Sequence, residues 1–320
     1  MHSYDSVLCI IYVLLIVIGI FGNGLLLYSS GCNIITDQRM RPIELLFINL
    51  AFSNIMLILL RGIPWSVQFC IQKFFLGDSD CKIIIYLQRV FRGISLCTTS
   101  LLSVFQAITI SSHNPICTEL KARFPKNIVS FSVCIFVLNL LIDGIVPLYV
   151  TGTKYNTKSN LSVDIGYCSI DRYALTTSKF IILKSLYDAV FMGFMIIASG
   201  YMVLVLYRHH WQVQHIHNAN YNSSISPETR ATKVILLLMS LFICFYSLSS
   251  IFIIVMDNSR DTNLWLIYSS VVFSLCYPTI SPYLLISNDS QIPNCYYAFK
   301  MIRKSNQSLR KKAKQIKNMS

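Results

Sequence analysis

The sequence predicts an all-α membrane protein, a bundle of seven transmembrane helices with the N-terminus outside and the C-terminus in the cytoplasm. Of its 320 residues, 54% are hydrophobic and 13% charged, about half the roughly 25% charged residues of soluble domains. The apolar residues gather into seven runs, each long enough for a hydrocarbon core of about 30 Å. With the N-terminus outside, 16 of the 27 Lys and Arg residues fall in cytoplasmic segments, 7 in outer links, counting Lys82 and Lys179 at the outer ends of the third and fifth spans, and 4 deeper within spans, a bias that sets orientation.

The net charge of +13 sits in loops and a tail between apolar runs, which argues for topology and membrane lipid and against nucleic acid. The 11 cysteines include no CxxC pair, so neither a metal framework nor a cofactor is expected. One heptahelical domain over residues 1–287 and a basic cytoplasmic tail over 288–320 account for the chain, with no internal repeat.

The first span is placed at about 7–28. Met1 to Ser6 contains no Lys or Arg, unlike a cleavable signal peptide, so this run is expected to remain. Gly19, Gly22 and Gly24 permit close helix contact, and Asn23 requires an interhelical partner. Pro42 opens the second span, at about 42–67. Asn49 and Asn54 read there as polar glue between helices. Arg61, followed by Gly62-Ile63-Pro64, admits two readings, snorkelling to the outer surface or lining a ligand cavity.

The third span, at about 81–112, organises the rest. Its 32 residues contain no proline and as a helix would extend roughly 48 Å. Arg89, Arg92, Thr99, Ser103 and Gln106 fall on one arc; Ile83, Leu87, Val90, Ile94, Leu101, Val104 and Ile108 fall on the other. A polar stripe at membrane depth demands a bundle interior or a hydrated cavity. The following segment, with His113, Asn114, Pro115 and Pro125, is expected to break the helix. The fourth span, at about 127–150, holds Asn139 and Asp143 one turn apart, and Asp143 reads as a buried or paired structural group.

The longest outer link carries Cys168 and the sequon Asn160-Leu161-Ser162, a glycosylation site in a lumenal loop. The sequons at Asn222, Asn288, Asn306 and Asn318 should be cytoplasmic and silent. Lys184 and Asp188 stand at i, i+4 in the fifth span, at about 179–207, either as an intrahelical pair or facing a cavity. His209, His210, His215 and His217 then read as a solvated loop without a metal scaffold. The sixth and seventh spans are placed at about 234–256 and 264–287, with Pro278 and Pro282 expected to bend or loosen the last one.

Cys295 is a candidate for palmitoylation beside the basic tail. In the predicted orientation Cys81 and Cys168 both lie outside, where a disulfide is permitted, and Cys70 competes for either partner.

The segments RPIELLFINLAFSN, LLRGIPWSVQF, YLQRVFRGISLCTTSLLSVFQAITISS, VQHIHNANYNSSISPETRATKVILLLMSLFICFYSL and YPTISPYLLI resemble those of vomeronasal type-1 receptors, pheromone-sensing G-protein-coupled receptors. The resemblance implies a plasma-membrane receptor of vomeronasal sensory neurons. It implies a small-molecule chemosignal as ligand and an inhibitory-type heterotrimeric G protein as partner. It also implies the Cys81–Cys168 bridge and a glycan on Asn160.

Similarity to the wider rhodopsin-like class is looser. Phe105-Gln106-Ala107 replaces its acidic-Arg-aromatic triplet, Asn54 stands where an acidic residue is usual, CWxP is missing from the sixth span, and Ser281-Pro282 replaces Asn-Pro.

Arg61, Arg89, Arg92, Lys184 and Asp188, among apolar walls, form the candidate ligand set. Arg92 admits a second reading as a structural partner of Asp143 or Asp188. A transporter or channel would show relay charges through the full depth or repeated broken helices. An enzyme would show a motif such as HExxH or GxSxG. A bitter-taste receptor shares the topology, but the quoted blocks favour the vomeronasal group.

Overall fold

In lipid, apolar side chains gain little by exchanging acyl tails for one another, so helices associate through close packing and interhelical hydrogen bonds. A computed structural model describes residues 2–37, 41–71, 76–111, 115–152, 162–164, 167–171, 179–216, 227–258 and 264–288. It contains 7 helices long and apolar enough to cross a membrane.

The first span is His2–Asp37. The second is Pro42–Leu57, a π turn at Ile58–Gly62, and Ile63–Ile71. Asp78–Ile110 forms the third, and Pro115–Ile142 with a 3-10 turn at Asp143–Leu148 the fourth. Lys179–Ile216, Pro227–Asn258 and Leu264–Asn288 complete the bundle.

The helices run further than their apolar cores. Pro115 starts the fourth helix instead of breaking the chain, because proline at a first helical position forfeits no hydrogen bond. Likewise His209, His210 and His215 lie on the helical end of the fifth span, correcting the loop expectation. His217, Asn160, Asn222, Asn306, Asn318, Cys295 and the basic tail lie outside the described residues.

The third span is the axis of the bundle, packed against the second, fourth, fifth and sixth. Within its most apolar stretch 61% is buried, against 17% for the fifth span. Val90 and Ile94, opposite the polar stripe, are therefore packed against protein, while Ile83 remains exposed.

Asn54 is the hub that joins four spans. Its Nδ2 donates to Asn23 Oδ1 at 3.3 Å and Ser281 Oγ at 3.0 Å, and its Oδ1 accepts from Ser95 Oγ at 3.1 Å. Asn23 in turn donates to the Pro278 carbonyl at 2.9 Å. Pro282 explains that last bond: it lacks the N–H that would have engaged the carbonyl four residues earlier. The seventh helix thus stays continuous through both prolines.

Two expectations for this region are corrected. Gly19 and Gly22 do sit against Ile58 and Tyr283, but Gly24 faces open space. Asn49 makes no side-chain hydrogen bond among the described residues; its carbonyl accepts from Ser53 at 2.7 Å.

A feature unread in the sequence is a small antiparallel sheet in the link between the fourth and fifth spans. It comprises β1 (Val150–Gly152), β2 (Ser162–Asp164) and β3 (Cys168–Asp171), in the order β1-β3-β2. Cys168 on β3 is bonded to Cys81 of the third span. Nearby, the Gly152 N–H donates to Asp78 Oδ1 at 3.1 Å. A side chain at Gly152 would lie 2.9 Å from the Asp78 backbone nitrogen, so this approach requires glycine. Cys70, the competitor in the sequence, is bonded instead to Cys9 and joins the first two spans.

Candidate ligand site

The candidate site lies toward the disulfide-bearing end, and the second span prepares it. Pro64 has no N–H for the Leu60 carbonyl. Gln88 of the third span takes that carbonyl, donating from Nε2 at 2.7 Å. The adjacent π turn carries Arg61, and such turns locally shift the face that a helix presents. Gln88 Nε2 also lies 3.3 Å from Tyr167 Oη, just ahead of β3, which ties the sheet to both spans. Tyr167 is buried, with the Trp65 ring edge-on at 5.5 Å. Burial raises its phenol pKa, opposed by the Gln88 hydrogen bond and the Arg61 charge, so at neutral pH it remains a phenol.

A second group spans the third to sixth helices. Lys184 Nζ donates to Asp143 Oδ2 at 2.9 Å and lies 3.9 Å from Asp188 Oδ1. Asp188 Oδ2 accepts from the Tyr246 hydroxyl. The Arg92 guanidinium lies over the Tyr246 ring, 4.2 Å from its centroid, a favourable cation–π placement. Asp143 is thus paired between helices, and the Lys184–Asp188 contact is the looser of the two.

Arg92, Lys184 and Asp188 therefore meet in one network, whereas Arg61 and Arg89 form no hydrogen bond or ion pair with a described residue. Sequence reading missed Tyr246, Gln88 and Tyr167. Gln88 is visible as an amide inside an apolar helix. The others have no local signal, since their partners lie 58 and 79 positions away.

Close packing makes the network possible. Asn139 donates to the Ile135 carbonyl at 2.8 Å and to Tyr187 Oη at 3.1 Å, and Tyr187 Oη lies 3.0 Å from Cys97 Sγ. A side chain at Gly93 would collide with Asn139 Oδ1 and approach Lys184 Nζ to 3.2 Å. Gly93→Ala is expected to destabilise the protein by about 1–3 kcal/mol through overpacking. A lower melting temperature of the purified variant would register the loss; an unchanged one would mean that Asn139 and Lys184 can yield.

At the opposite end the third span is tied to the sixth by Gln106 Nε2 donating to Thr232 Oγ1 at 3.3 Å. It is tied to the fifth by a 2.5 Å contact between the Ser111 and Tyr201 hydroxyls. Gln106 belongs to the Phe105-Gln106-Ala107 triplet singled out in the sequence.

The comparisons with known proteins agree with this architecture. The chain is 36% identical over 294 residues to human (Homo sapiens) vomeronasal type-1 receptor 4, covering 89% of this chain and 95% of the relative. It is 36% identical over 297 residues to human vomeronasal type-1 receptor 3, covering 92% and 94%. It is 28% identical over 281 residues to the olfactory receptor class A-like protein 1 of Danio rerio, covering 86% and 87%. Residues 8–298 match the profile of the vomeronasal organ pheromone receptor family. With seven apolar spans and this match over nearly its whole length, the chain belongs to the vomeronasal organ pheromone receptor family and is a multi-pass membrane receptor, not an enzyme.

Proposed function

We propose that the protein is a chemosensory receptor that binds a small chemosignal among Arg61, Arg89, Arg92, Lys184 and Asp188 and activates an inhibitory-type heterotrimeric G protein at the opposite end. In this reading the N-terminus and the disulfides are outside, Asn160 carries a glycan, and the tail is cytoplasmic. The site of action is the plasma membrane of vomeronasal sensory neurons.

The observation that carries the reading is the chain of contacts from Arg92 through Tyr246, Asp188 and Lys184 to Asp143. Those residues belong to the third, sixth, fifth and fourth spans, so a ligand that engages Arg92 or Lys184 acts on the relative placement of four helices. Binding one arrangement better than another shifts their populations. The Gln106–Thr232 and Ser111–Tyr201 contacts are where the same helices would separate for a G protein.

Arg92→Ala removes a ligand contact while leaving the Lys184–Asp143 pair. In reporter cells given a dilution series of conspecific secretions, it is expected to weaken the response about tenfold, on the order of one such contact. Surface expression should be unchanged. Superimposable dose–response curves at matched expression would remove Arg92 from the site.

A further inference from the structure

We propose that the Cys9–Cys70 disulfide is a thiol-exchange site, opened at Cys70 by small water-soluble thiols of the glutathione class, while the Cys81–Cys168 disulfide is closed to them. The inference goes beyond the receptor reading, and its chemistry requires no chemosignal.

The two bonds occupy opposite settings. Cys81 and Cys168 are fully buried, and Cys81 Sγ lies 3.4 Å from the carbonyl oxygen of Tyr167, itself buried against Trp65. An attacking thiolate reaches neither sulfur unless that end of the bundle opens. Cys70 is exposed and Cys9 half-buried. Cys70 is the last residue of the second apolar span, and Gln72 and Lys73 follow it, which places its sulfur where lipid gives way to water. Cys9 stands at the same end, in the first turn of the apolar stretch Ser6–Ile35. Cys134 and Cys244 are also exposed, but inside the fourth and sixth apolar spans, where a charged thiol does not enter.

Exchange depends on which sulfur a thiolate can reach, and here that is Cys70. The thiolate attacks Cys70 Sγ and a new S–S bond forms there. The Cys9–Cys70 bond breaks, and Cys9 leaves as a thiolate that takes up the proton lost by the incoming thiol. A second thiol attacks the adduct, frees Cys70 and departs as the oxidised disulfide. Two thiols are thus oxidised for one disulfide reduced.

The packing keeps the freed cysteines side by side. Tyr12, three residues after Cys9, stacks on Phe69, the neighbour of Cys70, with ring centroids 5.3 Å apart. The Phe69 ring meets Tyr268 edge-on at 4.7 Å, and the Tyr12 hydroxyl donates to the Tyr268 carbonyl at 3.1 Å. Closure of the bond is then intramolecular, so the exchange is reversible. Stability, and not the ligand site, follows the reducing power of the fluid at this end.

The test uses the full-length receptor purified in detergent. Free thiols are blocked with N-ethylmaleimide and the excess is removed. Millimolar glutathione is added at about pH 8, where part of it is thiolate. Isotopically labelled maleimide quenches the reaction before non-reducing digestion and mass spectrometry. Early samples should carry glutathione on Cys70 and labelled maleimide on Cys9, with Cys81 and Cys168 still linked. Without the quench, the melting temperature should fall by about 5 °C, the order expected for loss of one such bond. It should reach that of Cys9→Ser/Cys70→Ser, which glutathione should leave unchanged, and oxidised glutathione should restore it in the wild type.

An intact Cys9–Cys70 linkage, cleavage of both disulfides at the same rate, or glutathione carried by Cys9 instead of Cys70 would overturn the proposal. The mass measurement is made on the wild-type chain, so it decides the matter even if the double variant fails to fold.

Discussion

Lys184→Met is expected to destabilise the receptor by about 3–5 kcal/mol, the usual consequence of removing one partner of a buried ion pair, and to deplete it from the cell surface. Asp143 is fully buried, its Oδ2 is bonded to Lys184 at 2.9 Å, and its Oδ1 has no other partner among the described residues. Arg89 feels the Asp143 charge but forms no ion pair with it, so the substitution strands a carboxylate in a protein interior surrounded by lipid. The double variant Lys184→Met/Asp143→Leu should recover most of the loss, because replacing both ions by apolar groups removes the stranded charge. Surface labelling and melting of the purified proteins separate the outcomes. If the single variant matches wild type, Asp143 is accommodated without Lys184 and the pair does not hold the fourth and fifth spans together.

Cys81→Ser is expected to lower stability by about 2–5 kcal/mol, since the bond closes a long loop, and also to abolish the ligand response. The bonded residues are 87 positions apart, and the sheet they anchor delivers Tyr167 to Gln88 beside Arg61. Cys9→Ser is the informative comparison. That bond spans 61 positions, so its chain-entropy contribution is similar, but it joins two spans already packed along their length. It should lower the melting temperature while preserving the response of the molecules that reach the surface. Equal loss of response in both variants, at matched surface expression, would show that the sheet has no special part in the site.

Much of the bundle is legible because the bilayer imposes its rules locally. Length and hydropathy locate a span, and an amide such as Asn54 inside one announces a partner helix before the partner is known. The helix ends are less legible. Pro115 reads as a breaker, although at a first helical position it is harmless, and the apolar signal fades before the fifth helix ends at Ile216. The strands β1 to β3 are three or four residues long, too short for alternation to announce them.

The site divides the same way. Hydropathy and spacing along the chain are enough to put Arg61, Arg89, Arg92, Lys184 and Asp188 at membrane depth, where charge is costly and calls for a use, and the quoted blocks are enough to identify the family. Which of those charges are satisfied depends on the assembled bundle. Lys184 turns to Asp143 on another helix more closely than to Asp188 on its own, Arg92 settles on Tyr246, and Cys70 finds Cys9. The cause is geometric: spacing along one helix fixes the face a residue occupies, whereas its partner depends on which neighbouring helix presents a group at the same height, and that is set by the packing of all seven.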